Sequence, residues 1–164
     1  MKTLKQYFFL LFVVLSALCG TTSCDKLPDN GDLDGMWQLM SVSSSDGETQ
    51  NVKESQLYWS IRLRLVQYSS QRSMDSHIYY SHFKKEGSIL YLTDFCKDAK
   101  YEHVDDDNEW IQPDEAEVLH QWGIYPEGDP SSEKKVMVIY HIDYLSSSKL
   151  ILSNADGKLT FRKF

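Results

Sequence analysis

Glycine is scarce in this chain. Eight of its 164 residues are Gly. They never gather into the loop that cradles a phosphate or the Gly-x-Gly-x-x-Gly turn that receives a dinucleotide, and no Gly-x-Ser-x-Gly elbow presents a nucleophile. Cysteine is scarcer, with Cys19, Cys24 and Cys96 alone, and no pair has the spacing of a zinc site. The histidines are His77, His82, His103, His120 and His141. His77 and His82 are five apart on an expected strand, which puts them on opposite faces. No His pair has metal-ligand spacing on one helix. Neither a metal nor a cofactor is expected, and the chain reads as a protein that is not an enzyme. Positive charge is also short, with 17 Lys and Arg against 24 Asp and Glu and a net charge of −7. Two of those cations, Lys2 and Lys5, lie in the first 23 residues, so the rest is more acidic still. Such a surface repels nucleic acid and anionic lipid heads. Nucleic acid is excluded as a partner, and membrane contact has to come from an anchor.

The longest apolar run, Tyr7 to Leu18, is broken only by Ser16. About twelve residues are too few for a helix across a bilayer core of roughly 30 Å. With Lys2 and Lys5 before it, the run has the form of a signal-peptide core. Gly20-Thr21-Thr22-Ser23-Cys24-Asp25 comes next. Small residues before a Cys fit cleavage and lipid attachment there, and the segment resembles a bacterial lipoprotein signal of the Bacteroidetes type. Cys19 is the weaker site, because bulky Leu18 precedes it. The expected organisation is a signal peptide over 1–23, a tether over 24–32 from lipidated Cys24, and one β-domain over 33–164. The resemblance implies an outer-membrane lipoprotein. Acidic Asp25, Asp29, Asp32 and Asp34 are compatible with the cell surface, and the periplasmic face stays open. Cys96 is then left without an intramolecular disulfide partner, and a buried, inert thiol is the expected state.

The domain beyond the tether has 13% aromatic residues and a core-forming share of apolar ones. Leu57 to Tyr68 alternates, with Leu57, Trp59, Ile61, Leu63 and Leu65 on one parity and Arg62 and Arg64 on the other. A two-residue period predicts a strand with one buried face, and its arginines are expected in solvent. Further strands are expected at Met36–Ser43, Asp75–Phe83, Ser88–Asp94, Lys135–Leu145, Lys149–Ser153 and Lys158–Phe164. Asn154-Ala155-Asp156-Gly157 makes the last two a hairpin. The acidic run Asp105-Asp106-Asp107-Asn108-Glu109 lacks the spacing of a calcium loop and reads as solvated loop. Pro113 suits the first turn of a short helix, and Asp114 and Glu115 suit its positive end. Ala116, Leu119 and Trp122 form its packed side, and Gly123 stops it.

Four pieces then carry a wider likeness: Leu33-x-Gly35-x-Trp37, Leu119-x-x-Trp122-Gly123-Ile124, Tyr144 to Leu152, and Asp156 to Lys163. Together they resemble a bacterial lipocalin-like lipoprotein over about residues 33–164. The resemblance implies an all-β fold with one short helix, a meander barrel of about eight antiparallel strands around a small cavity. It also implies that Trp37 plugs the closed end under Arg162 from the last strand, a structural pair beside Gly35. No second or third lipocalin motif is present, and the helix sits among the late strands. A β-sandwich is therefore the alternative fold.

Two functions are open. In the first, a lipid-anchored barrel binds a small hydrophobic or amphipathic ligand, its wall formed by Trp59, Ile61, Leu63, Tyr80, Tyr91, Val138 and Tyr140. An aromatic wall with few polar groups suits such a pocket. In the second, the barrel is filled by its own side chains. The protein is then an accessory subunit that meets a protein or glycan through the acidic 98–117 segment and exposed Tyr58, Tyr68, Tyr79 and Trp110. A dry internal cavity favours the first, and a filled core favours the second.

Overall fold

A computed structural model describes residues 30–72, 78–97, 109–111, 113–125 and 136–164. The leader, Cys24, most of the tether, His77, His103 and the acidic run 105–108 lie outside the described residues. In chain order the elements are a 3-10 turn (Gly31–Leu33), β1 (Gly35–Ser44), β2 (Thr49–Asn51), a second 3-10 turn (Lys53–Ser55), β3 (Leu57–Arg62), β4 (Leu65–Ser70), β5 (Tyr79–Glu86) and β6 (Ile89–Lys97). Then come β7 (Glu109–Trp110), a 3-10 helix (Pro113–Trp122), β8 (Met137–Leu145), β9 (Lys149–Ser153) and β10 (Gly157–Lys163).

Each main strand pairs antiparallel with the next, and β10 returns to β1 from Trp37↔Lys163 to Ser44↔Gly157. The result is a closed barrel of eight strands: β1, β3, β4, β5, β6, β8, β9 and β10. Closure removes the free edges that a sandwich would leave, so the sandwich alternative is excluded. The short strands prolong the sheet where a long strand outruns its neighbour. β2 covers Ser41 to Ser43 of β1, beyond the part paired with β3. β7 covers Cys96 and Lys97 of β6, beyond the part paired with β8. Bulges shift the register at Leu39/Ser41, Tyr80/His82 and Ile142/Tyr144. A bulge adds local twist and bend, which helps a sheet curl shut.

The expected long strand Leu57–Tyr68 is in fact the β3–β4 hairpin. Leu63 and Arg64 form its two-residue turn, and Ile61 faces Val66. A two-residue turn inverts the parity of the strand after it. Trp59 and Ile61 point inward before the turn, and Val66 and Tyr68 point inward after it. The uninterrupted alternation in the sequence hides this reversal, because Leu63 and Leu65 continue the apolar parity while leaving the core.

The turns divide the barrel into two ends. The near end carries the incoming chain at Asn30 and the turns at 63–64, 87–88 and 146–148. The far end carries those at 45–48 and 154–156. Gly157 shows how tightly β10 sits on β1. Its φ is +151°, and a side-chain carbon there would run into the backbone carbonyl oxygen of Ser43. A non-Gly residue is therefore excluded by space as well as by conformation. The expected outcome for Gly157→Ala is a loss of about 2–4 kcal/mol of stability, read from the urea midpoint. An unchanged midpoint would mean that β10 does not close on β1 at this position.

Candidate functional site

The near end is sealed first. Leu33 turns inward from its 3-10 turn and is fully buried. Its carbonyl accepts the Trp37 indole N–H at 2.8 Å, which satisfies the one polar atom of a fully buried ring. The Lys163 ammonium lies 4.9 Å from the centre of that ring and donates to the Asp32 carbonyl at 2.8 Å. Gly35 makes the arrangement possible. A side-chain carbon on Gly35 would stand 2.6 Å from Cε of Lys163, so the Gly-x-Trp pattern is the space the lysine stem needs. Lys163 and Trp37 face each other across the β1–β10 ladder.

The expected cation, Arg162, is not over Trp37. It faces outward and donates to Oε1 of Gln38 at 3.0 Å. Consecutive residues of a strand point to opposite faces. Since Leu159 and Phe161 are core, parity puts Lys163 on the inner side and Arg162 on the outer. That signal is present in the sequence, where Leu159-x-Phe161-x-Lys163 alternates.

Inside, rings meet rings. Trp59 contacts Tyr68, Tyr140 and Phe161 at centroid separations of 5.2, 6.1 and 4.9 Å. Tyr68 lies 6.0 Å from Phe95 in a stacked arrangement. The Tyr68 and Ser81 hydroxyls share a hydrogen bond of 2.7 Å, and the Tyr140 hydroxyl donates to the Gly123 carbonyl at 2.7 Å. Burial pushes both phenols above their ordinary value. The Trp59 indole N–H is buried without a hydrogen-bond partner among the described residues.

The far end is stoppered. Leu119, Trp122 and Ile124, from the 3-10 helix and its exit, are buried. The Trp122 ring stands 5.0 Å from Tyr79 and 6.3 Å from Tyr68, and its N–H reaches the Ser69 carbonyl at 3.4 Å. These partners belong to the far ends of β4 and β5. The helix that the sequence places among the late strands is thus laid across the opening.

Of the expected wall residues, Trp59, Ile61, Val138 and Tyr140 are buried in the barrel. Tyr80 and Tyr91 are not in its wall. The inward positions of β5 and β6 are Tyr79, Ser81, Phe83, Leu90 and Leu92, so both tyrosines take the outer parity and are partly exposed. Leu63 sits at the β3–β4 turn and lines an outer cleft instead. Tyr58, Tyr68 and Tyr79, expected as exposed contacts, are buried. Tyr58 takes an outward position but is covered by the Phe164 ring at 5.6 Å. Cys96 is a buried free thiol, and burial, with Asp94 adding its charge, pushes it up to about 11. That thiol is a poor nucleophile at neutral pH. Among the described residues no group of three His, Cys, Asp or Glu side chains could hold a metal ion.

The sequence pattern of the lipocalin-like domain family matches residues 17–164. The chain belongs to that family. Two solved structures share the lipocalin-like fold. One is a lipocalin-like protein from Bacteroides uniformis, 18% identical, with a TM-score of 0.57 over 82% of this chain and 100% of that one. The other is an uncharacterised protein from Bacteroides eggerthii, 16% identical, with a TM-score of 0.52 over 80% of this chain and 98% of that one. No curated protein sequence matches this lipocalin-like chain.

Two outcomes are expected. Trp37→Ala should cost about 3–5 kcal/mol in a urea melt, as buried Trp losses do. Lys163→Ala should cost about 1 kcal/mol through its stem and its cation–π contact, and Arg162→Ala less than about 0.5 kcal/mol. A larger loss at Arg162 than at Lys163 would reverse the assignment of the cation. The second concerns pH. Tyr68 and Tyr140 hold their protons more tightly when folded, so the unfolded chain ionises first as pH rises. Their contribution is whole below about pH 10 and declines above it, by up to about 1.4 kcal/mol per pH unit for each phenol. Urea midpoints at about pH 8 and pH 11 measure this, and a flat profile would show that the phenols are not buried.

Proposed function

We propose that this lipocalin-like protein is a non-enzymatic binding module of the outer membrane, held there by lipid on Cys24, that works through its outer surface. The barrel serves as a filled scaffold rather than as an open calyx. The observation that carries this reading is the packing along the barrel axis. Trp37 under Lys163 closes the near end, Trp59, Tyr68, Tyr140 and Phe161 occupy the middle, and Trp122 stops the far end. Small barrels are commonly filled by their own side chains. The leader, with its short apolar run and Ser23-Cys24 junction, supports the anchor. The acidic balance supports it too, since a surface of this charge does not hold an anionic bilayer unaided.

One observation favours the other reading, a small hydrophobic or amphipathic ligand inside. A buried donor without a partner is costly, and among the described residues the Trp59 indole N–H finds none. A small molecule with an acceptor atom, admitted past Trp122, would pair it.

A neutral apolar dye such as Nile red separates the two. The expected result is no saturable binding to the native protein. Saturable binding that is lost when Ile61 is enlarged to Trp would overturn the filled scaffold. The anchor is tested by Cys24→Ser in the native host. The variant should move from the membrane fraction to the soluble one, and an unchanged distribution would refute the lipoprotein assignment.

A further inference from the structure

Outside the barrel, at the near end, a cleft of about 630 Å³ opens beside the β3–β4 turn and the lower part of β5. This is the size range of small-molecule sites. Its position comes from the strand register. β4 begins at Leu65, which pairs with His82, so β5 runs on past it from Phe83 to Glu86. The step between the short hairpin and the long one is the cleft.

Its charge runs against that of the protein. Arg64, Lys84 and Lys85 line it against a single carboxylate, Asp94, in a chain of net charge −7. Asp94 is engaged by His82 at 3.3 Å and by the Thr93 hydroxyl at 3.1 Å. Lys84 is paired with Glu86. Arg64 and Lys85 are exposed and have no ion-pair partner among the described residues. Leu63 supplies an apolar side chain to the lining, and Phe83, its ring buried in the core, borders the cleft.

The backbone is strained at this place. Among the described residues three non-Gly residues have positive φ, and two of them, Leu63 at +58° and Asp94 at +54°, line the cleft. Asp94 is one of the two β6 residues opposite Ser81 in the Tyr80/His82 bulge, and its carboxylate meets His82. Strained residues and bulges concentrate where a side chain has to be aimed at a ligand.

We propose that this cleft binds the anionic head of an amphiphile, a phosphate-type group held by Arg64 and Lys85 with the first carbons of its chain on Leu63. An arginine fork and an ammonium suit such a group, and the apolar lining favours a head that carries a chain over a bare anion. Asn30 stands at the rim, fixed by donating to the Leu63 carbonyl at 3.0 Å and to the Asp34 carboxylate at 2.6 Å. Where the orientation toward a membrane is concerned, the inference rests on the Cys24 anchor. Six residues of chain reach at most about 20 Å, which would hold the cleft within reach of lipid heads. The ligand chemistry itself does not depend on the anchor.

The test uses the full chain in a neutral maltoside detergent and titration calorimetry with three soluble probes: hexyl phosphate, inorganic phosphate and hexyltrimethylammonium. The expected result is one saturable site for hexyl phosphate. Binding should weaken by about tenfold or more in Arg64→Glu/Lys85→Glu, with an unchanged melting temperature, while Lys149→Glu on β9 leaves it intact. Inorganic phosphate should bind at least about tenfold more weakly, which identifies a lipid-type head as the occupant. Phosphate binding of equal strength, lost in the same double variant, would retain the anion site and identify a free anion as its occupant. Absence of saturable binding for both anions, binding that survives the double charge reversal, or equal binding of the cationic probe would overturn the proposal. None of these results depends on whether Cys24 is lipidated or whether Nile red enters the barrel.

Discussion

The pairing of β1 with β10 is the constraint on which this structure depends. It joins residues 37–44 to residues 157–163, the two ends of the domain, and leaves no open edge between them. That contact spans nearly the whole domain, so it carries a large loop-closure cost. The residues along it are chosen accordingly. Gly157 lets the two backbones approach at the far end. At the near end Gly35 admits the Lys163 stem, which crosses Trp37 and is tied to the Asp32 carbonyl. The incoming 3-10 turn is held by the same tryptophan through the Leu33 carbonyl. One latch thus joins the incoming chain, the first strand and the last.

The rest of the interior is set by a closed ring of eight strands with wide side chains. A barrel of this size is just large enough for its side chains to fill. Four large rings, Trp59, Tyr68, Tyr140 and Phe161, occupy its axis, and a fifth, Trp122, is delivered from outside the strand ring. The 3-10 helix is therefore a tertiary element, and its place between β7 and β8 gives it the reach to lie across the far opening. On the proposed reading, binding falls to the exterior. There, unequal hairpin lengths leave a cationic step beside Asn30, on an otherwise acidic protein.

Much of the fold is legible from residues. The inward parity of Val136, Val138 and Tyr140 appears in the alternation alone. The Asp156-Gly157 hairpin lies where a turn of that composition belongs, and Pro113 and Gly123 bound the helix as their backbone preferences require. Analogy misplaces the arginine at 162, although the alternation of Leu159 and Phe161 points to Lys163. The β3–β4 turn is hidden for a physical reason. Leu63-Arg64 carries no Gly, Asn, Asp or Pro, and Leu63 accepts a left-handed backbone at +58° that its residue type disfavours. Tyr80 and Tyr91 read as wall residues because aromatics fall on both parities of β5 and apolar residues on both parities of β6. Only the partners across the sheet decide which parity faces in.

The sequence by itself determined the all-β character, the two-residue strand periods and the terminal Asp-Gly hairpin. Each of these is local, written in spacing and residue type within a dozen positions. The tertiary structure alone decided barrel over sandwich, the lysine over Trp37, the stopper at Trp122 and the cationic cleft. Each of those depends on residues far apart in the chain meeting in a particular register, and a shift of one residue exchanges the two faces of a strand. Alternation states that a strand has two faces, and only closure of the sheet states which of them is inside.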